Sequence, residues 1–169
     1  MKIFKLFLLI IISLVFSNQV FSEDKILESL KGGGKIIFIR HAYAPGNGDP
    51  AGFNLNDCST QRNLSDDGRK QAQRIGEFFT KNKIEIDKVL SSEWCRCKET
   101  AKIAFKNYST NSFLNSFYSS KFSKNKDKQV KEFNYYIKNL KSKKNLIFVT
   151  HYVFISEVLN YGPSSGEIV

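Results

Sequence analysis

The chain contains two histidines, and each one follows a short run of apolar residues. Arg40 and His41 directly follow the run 36–39, and His151 follows the run 146–149 and one threonine. Such runs, bounded by turn residues, are typical of strands buried on both faces of a parallel sheet. For a single strand end of this kind, the alternative explanation is that two polar residues simply face water. Because open α/β sheets bind ligands outside the carboxyl ends of their strands, two such ends favour a site for chemistry.

Arg96 is a further candidate, because it lies close to the end of another predicted strand, 88–90. The pattern predicts a helix over 93–105, which places Arg96 in the first turn. A helix N-terminus can bind phosphate, and a guanidinium contacts two phosphate oxygens at once. Considered alone, Arg96 would be read as a surface arginine, so its role depends on the neighbouring strand ends.

Elements of two kinds alternate along the chain and would position these residues. The apolar spacing predicts helices in five segments: 24–31, 66–79, 93–105, 129–140 and 154–159. The turn-rich stretch 42–62 has no periodicity and would cover the site. Residues 167–169 resemble the start of a further strand. Strands alternating with helices indicate an α/β fold around a mostly parallel sheet.

The beginning of the chain has the pattern of a secretory signal peptide. A basic start at 1–5, an apolar run at 6–16 and the small residue Ser22 follow one another. The alternative is an uncleaved anchor, although the run is short for a membrane span. We therefore predict a signal peptide at 1–22 and one domain at 23–169, exported to the periplasm or secreted, without stable membrane insertion after cleavage.

The net charge is +10, and much of the excess is lysine in 121–131 and 138–144. A lysine-rich surface without an arginine stripe favours a solvated basic face, and we predict no nucleic-acid partner. The same charge suits an anionic substrate but does not identify one.

The three cysteines are Cys58, Cys95 and Cys97. In an exported protein an odd number indicates one bridge and one remaining thiol. Cys58 would pair with Cys95 or Cys97, since a bridge across one intervening residue is strained. A zinc site is the alternative, but the two histidines are better used at the strand ends, so we predict no metal.

Four motifs in order resemble the histidine phosphatase superfamily, which has the phosphoglycerate-mutase-like fold. Arg40-His41-Ala42 is similar to its Arg-His-Gly signature, and 63–72 to its Leu-(Ser/Thr)-x-x-Gly-x-x-Gln-Ala stretch. Residues 91–101 resemble its Ser-x-x-x-x-Arg-x-x-x-Thr-Ala element, and 149–151 its second-histidine strand. The resemblance implies a three-layer αβα sandwich. It also implies a family strand beyond 169, so the domain would be shortened.

By this resemblance His41 is the nucleophile that becomes phosphorylated, and Arg40, Arg96 and His151 hold the phosphoryl oxygens. Positioning and positive charge are what phosphoryl transfer needs, so neither a metal nor a cofactor is expected. The expected function is hydrolysis of a small phosphomonoester through a phosphohistidine. A phosphohistidine-protein phosphatase and a non-catalytic binder of anionic phosphorylated envelope groups are the alternatives.

The sequence departs from the family at three places. Ala42 replaces a glycine, Tyr152 replaces a small residue, and Leu114-Asn115-Ser116 lacks the carboxylate of the family's general acid. The remaining acid candidates are Glu93, Asp49, Asp57 and Glu157. We predict Glu93, which would share a helix face with Arg96 three residues later. Alternatively, Glu93 caps the helix or pairs with Arg96.

Overall fold

The computed structural model describes residues 25–169, and the predicted signal peptide lies outside them. Its centre is a sheet of four strands that all pair in parallel, in the order β1-β4-β2-β3. These strands are β1 (Ile36–Arg40), β2 (Ile86–Ser91), β3 (Ser109–Thr110) and β4 (Asn145–Thr150). The predicted α/β fold with a parallel sheet is confirmed.

Helices cover both faces of the sheet, which explains why the strands are continuously apolar. They are α1 (25–31), α2 (Asp66–Lys81), α3 (Cys95–Phe105), α4 (Ser120–Ser123), α5 (Lys126–Lys138) and α6 (Tyr152–Leu159). Ile37 and Ile39 of β1 join a core that includes side chains of α2 and α3. Phe38, between them, packs into the other core against α5 and α6. Two cores on opposite faces make a three-layer arrangement.

The register between β1 and β4 positions the strand ends. Ile36 pairs with Leu146 and Arg40 with Thr150, so neither strand extends beyond the other. The backbone N–H of His41 continues the ladder by donating to the Thr150 carbonyl at 2.9 Å. Because the pairing is parallel and in step, the two residues that follow the strands emerge side by side.

The free edge of β1 is paired with the C-terminal residues. Val169 and Phe38 exchange two backbone hydrogen bonds of 2.8 Å, and Ile39 and Ile168 form an antiparallel bridge. The strand start predicted at 167–169 is therefore present as an edge that runs against β1.

Helix α3 begins at Cys95, two residues later than predicted. Trp94 is the residue before the helix, with extended backbone angles. Glu93 consequently lies outside the first turn, and the predicted shared helix face with Arg96 is wrong.

A disulfide joins the long loop to the first residue of α3. Cys58 bonds to Cys95 across a sequence separation of 37 residues, and Cys97 is a free, buried thiol. The sequence left open whether Cys58 pairs with Cys95 or with Cys97, and the structure has the bridge to Cys95. Within residues 25–169 no helix is both long and apolar enough to cross a bilayer.

Removal of this disulfide should destabilise the protein. The bridge closes a loop of 37 residues, so Cys58→Ser should lower the free energy of unfolding by roughly 3–4 kcal/mol, measured by urea denaturation. Cys97→Ala is the control, because Cys97 belongs to no bridge. Mass spectrometry of protein extracted without reductant should detect a peptide pair linked through Cys58 and Cys95. Three free thiols in that sample would contradict the bridge.

Candidate active site

The two histidines meet at the carboxyl edge of the sheet. Their ring centroids are 5.5 Å apart, and His41 and His151 are only 2% and 3% exposed. His41 follows β1, and His151 lies directly before α6. The sequence predicted both to lie at strand ends, and the structure shows that the two strands are neighbours, which brings the histidines together.

The hydrogen bonds of His41 define its protonation pattern. Its Nδ1 lies 2.8 Å from the Ala42 carbonyl, which can only accept, so Nδ1 carries the proton. Arg96 donates from Nε to the other ring nitrogen, Nε2, at 3.2 Å. Nε2 is therefore unprotonated, and its lone pair, which accepts the Arg96 N–H, is the nucleophilic site of a neutral imidazole.

Thr100 of helix α3 fixes the backbone next to His41 through two hydrogen bonds. The Thr100 hydroxyl donates to the Arg96 carbonyl at 2.7 Å and accepts from the Ala42 N–H at 3.0 Å. One side chain thus ties the helix turn of Arg96 to the peptide beside His41. Ala42 is fully buried, so the fold accommodates its methyl group beside His41.

Burial keeps both histidines uncharged. It is the largest cause that lowers the pKa of His41 and of His151 well below 6.5, and the Arg96 charge is the second. A guanidinium beside an imidazole opposes protonation of the ring. Both rings are therefore neutral at neutral pH.

Arg96 is almost completely buried, and it is held by Asp49, which the sequence named only as one of four acid candidates. Its Nη1 and Nη2 donate to the two carboxylate oxygens of Asp49, at 2.7 and 3.2 Å. Asp49 also accepts from the Trp94 indole N–H at 3.0 Å and from the Arg62 backbone N–H at 3.2 Å. Burial, the largest single effect, raises the pKa of Asp49, but the hydrogen bonds and the charge of Arg96 together outweigh it and lower the pKa from its ordinary value. Asp49 is an anion that orients Arg96.

Two more arginines face the same cavity, of which the sequence predicted one. Arg40 donates from Nη1 to the Pro163 carbonyl at 2.9 Å, and its guanidinium lies 5.4 Å from the Tyr152 ring centroid. Its Nε–H is buried and has no hydrogen-bond partner. An unpaired buried donor is unfavourable, and a ligand oxygen would satisfy it.

Arg62 is the arginine that sequence reasoning missed. It donates from Nε to the Gly48 carbonyl at 2.6 Å and from Nη1 to the Ala44 carbonyl. Burial and the neighbouring Arg96 lower its pKa from 12.5. The available signal was its position directly before the 63–72 motif.

Ser92 and Cys97 contact the ring of His151. The Ser92 hydroxyl lies 2.8 Å from His151 Nε2 and 3.1 Å from the Asn115 side-chain oxygen. The free Cys97 thiol is 3.5 Å from the same nitrogen, and burial raises its pKa to about 12. Cys97 is thus an uncharged packing neighbour, and Ser92 sets the orientation of the ring.

The remaining acid candidates lie away from the histidines. Glu93 accepts a hydrogen bond from the Asn115 amide and does not line the cavity. Exposed Asp57 caps a short 3-10 helix through Ser59, and Glu157 pairs with Lys126 at 3.1 Å. Among residues 25–169, Asp49 is the only carboxylate that lines the cavity.

The cavity over the histidines has a volume of about 350 Å³. We call its charged end the phosphoryl site, defined as Arg40, His41, Arg62, Arg96 and His151. A volume in the range of roughly 300–1,000 Å³ is typical of small-molecule sites. Within residues 25–169, no group of three or more His, Cys, Asp or Glu is arranged to hold a metal ion.

A family model described as "Histidine phosphatase superfamily (branch 1)" matches residues 36–113. The resemblance to the histidine phosphatase superfamily is confirmed. The matched range includes Arg40 at the end of β1, Arg62 and Arg96, but ends before His151. A search of curated proteins by sequence gives no match.

Several solved structures share the fold of this chain at low sequence identity. A mycobacterial glucosyl-3-phosphoglycerate phosphatase in complex with VO3 has a TM-score of 0.56 at 12% identity, covering 79% of this chain and 90% of its own. A protein from Thermus thermophilus has a TM-score of 0.56 at 16% identity, with 79% and 91% covered. The protein histidine phosphatase SixA in complex with tungstate has a TM-score of 0.50 at 14% identity, with 79% and 84% covered. These likenesses establish a common fold.

Replacing Asp49 should leave Arg96 in the site but remove the carboxylate that orients its guanidinium. Asp49→Asn breaks a buried ion pair, which should lower stability by about 3 kcal/mol. Loss of the Arg96 orientation should lower kcat/KM for p-nitrophenyl phosphate by on the order of a hundredfold. Asp57→Asn is the matched control, because Asp57 belongs to the same loop and is exposed. Steady-state kinetics and urea denaturation measure both effects.

A second substrate separates orientation from proton donation. If Asp49 only orients Arg96, the variant should lose equally on p-nitrophenyl phosphate and on an alkyl phosphate, whose leaving group needs a proton. A loss confined to the alkyl phosphate would instead make Asp49 the acid. The same pattern in Glu93→Gln would assign that role to Glu93.

The buried histidines should make the protein less stable in mild acid. Below about pH 6.5 the histidines bind protons in the unfolded chain but not in the folded protein. The free energy of unfolding therefore decreases as the pH is lowered, by up to about 1.4 kcal/mol per pH unit for each histidine. Asp49 titrates below 3.8 and does not contribute in this window. Urea denaturation between about pH 7 and pH 5 measures the slope. His41→Asn should reduce it, and an unchanged slope would show that His41 is protonated in the fold.

Proposed function

We propose that this chain is an exported phosphatase that hydrolyses a small phosphomonoester through a phosphohistidine on His41. The observation that carries the proposal is the state of His41: Nδ1–H donates to the Ala42 carbonyl, which leaves the Nε2 lone pair facing Arg96. A neutral imidazole with one nitrogen fixed as donor is the form that a histidine nucleophile needs.

In the first step, His41 Nε2 attacks the phosphorus of the substrate. The N–P bond forms while the bond from phosphorus to the alcohol oxygen breaks, and that oxygen leaves with the electron pair. The Arg96 Nε–H, which contacts Nε2 in the free protein, then turns to a phosphoryl oxygen. The unpaired Nε–H of Arg40 supplies another donor. Donors placed where charge develops stabilise the transition state.

In the second step, water attacks the phosphohistidine. An O–P bond forms, the N–P bond breaks, the electron pair returns to Nε2 of a neutral His41, and both protons of the water leave with the product as dihydrogen phosphate. Arg40, Arg62 and Arg96 balance the charge of the phosphoryl oxygens in both steps, so we propose that the reaction needs no metal or cofactor. His151, whose Nε2 lies 2.8 Å from the Ser92 hydroxyl in the free protein, then turns its ring N–H to the transferring group.

The site is least suited to protonating the oxygen of the leaving alcohol. Asp49 has a lowered pKa and is held by four hydrogen bonds, so it has no proton to give at neutral pH. Glu93, the acid predicted from the sequence, bonds to Asn115 outside the cavity. We infer that esters with good leaving groups react fastest.

The same feature favours a second candidate, a phosphohistidine-protein phosphatase. Imidazole leaves phosphorus more easily than an alkoxide and depends less on an acid. A structure of similar fold is named as a protein histidine phosphatase. A non-catalytic binder of phosphorylated envelope groups is the third candidate, which lack of p-nitrophenyl phosphate turnover would favour.

Export and the processing of the chain belong to the same proposal. We propose that 1–22 is removed as a signal peptide and that 23–169 acts in the periplasm or outside the cell. A disulfide between Cys58 and Cys95 suits an oxidising compartment. Mass spectrometry of the protein from its native compartment would give its first residue.

His41→Ala should abolish both turnover and the covalent intermediate. Incubation of the unmodified protein with p-nitrophenyl phosphate and rapid quenching should trap an acid-labile phosphate on the peptide that contains His41. Because the variant lacks the nucleophile, it should carry no phosphate and show only background turnover. The thermal transition of the variant controls for folding. Substantial turnover by a folded His41→Ala protein would contradict the nucleophile assignment.

A further inference from the structure

The cavity extends well beyond the phosphoryl site. A phosphoryl group replaces only a few water molecules of roughly 30 Å³ each, whereas the cavity measures about 350 Å³. Beyond the arginines, five aromatic side chains line it, and three of them pack on one another. We call these three the aromatic wall, defined as Phe53, Trp94 and Phe122; Trp94 is buried behind the half-buried Phe53 and Phe122. The part of the substrate that leaves would lie against this wall.

The aromatic wall is preorganised. Its ring centroids are 5.7 Å apart for Phe53 and Trp94, 5.8 Å for Phe53 and Phe122, and 5.4 Å for Trp94 and Phe122. The Trp94 indole also donates to Asp49, whose carboxylate binds Arg96. One carboxylate therefore fixes the wall relative to the phosphoryl site.

Lys121 adds a cation on the same side of the cavity. It lines the cavity, and its ammonium lies 5.5 Å from the Phe122 ring centroid. Within residues 25–169 it makes no ion pair, whereas nearby Lys126 and Lys128 pair with glutamates. Together with the three arginines and Asp49, this gives the cavity lining a charge of +3 (four cations and one anion). A phosphoryl dianion neutralises only part of it.

We propose that the natural substrate is the phosphate ester of an alcohol that carries both a ring and a second anionic group. The ring packs on the aromatic wall, and the second anion pairs with Lys121. This inference rests on the proposed phosphatase function, because it places the scissile phosphate at His41. Flat rings gain from stacking on aromatic side chains, and an ammonium attracts an anion that a neutral alcohol lacks.

Three esters of primary alcohols test the inference at nearly constant leaving-group basicity: ethyl phosphate, phenethyl phosphate and para-carboxyphenethyl phosphate. The ring should raise kcat/KM by at least about tenfold, since a single methylene in an apolar pocket already gives roughly that factor. The carboxylate should add roughly another fivefold through Lys121. Ratios within one enzyme preparation cancel differences in active fraction.

Two variants locate the effects. Lys121→Gln should remove the increment due to the carboxylate, whereas Lys124→Gln, a nearby exposed lysine that does not line the cavity, should keep both increments. Phe122→Ala should reduce the increment due to the ring. Loss of the carboxylate increment in both lysine variants would indicate general surface charge and overturn the assignment to Lys121.

The outcomes separate this inference from the proposed function. Turnover of p-nitrophenyl phosphate with equal kcat/KM for the three esters would overturn the subsite and leave the phosphatase standing. Absence of all turnover would overturn the phosphatase. In that case calorimetry with ethylphosphonate and phenethylphosphonate still decides the subsite, and equal affinities would overturn it.

Discussion

The buried guanidinium of Arg96 is the interaction on which the site depends. Its Nε–H contacts His41 Nε2, and its other two nitrogens contact the Asp49 carboxylate. Removing such a charge from water is unfavourable unless it is paired and hydrogen-bonded. Asp49 meets that need, and its attachment to Arg62 and Trp94 makes the long loop part of the site.

The cluster of arginines and histidines favours reaction with a phosphate ester more than it favours stability of the folded protein. Three arginines facing two histidines repel protons, so the pKa of each imidazole is lowered and the rings stay neutral. Fixed positive charge next to a neutral nucleophile suits attack on an anionic phosphate. The Cys58–Cys95 disulfide holds the loop beside Arg96, since Cys95 is its neighbour in sequence. Covalent, ionic and hydrogen-bonded restraints thus converge on one helix turn.

Local patterns were sufficient for the framework. The apolar runs predicted β1 and β4 because a strand buried on both faces must be continuously apolar. The apolar spacing predicted α2 from residue 66, and the side chain of Ser65, directly before the helix, accepts the Gly68 N–H. The strand ends predicted Arg40, His41 and His151, since parallel strands present their carboxyl ends at one edge. The late start of α3 was missed, because Trp94 stays extended where its indole bonds to Asp49.

The sequence by itself thus determined the α/β fold, the parallel strands and the histidines at their ends, because these follow from short-range periodicity. Only the tertiary structure decided the roles of Asp49 and Arg62, which lie in a loop without periodicity and gain their partners across long separations. It also decided that Cys58 bonds to Cys95 and not to Cys97. Residues two apart on a helix point in nearly opposite directions, so the packing of α3 leaves only one of the two facing the loop.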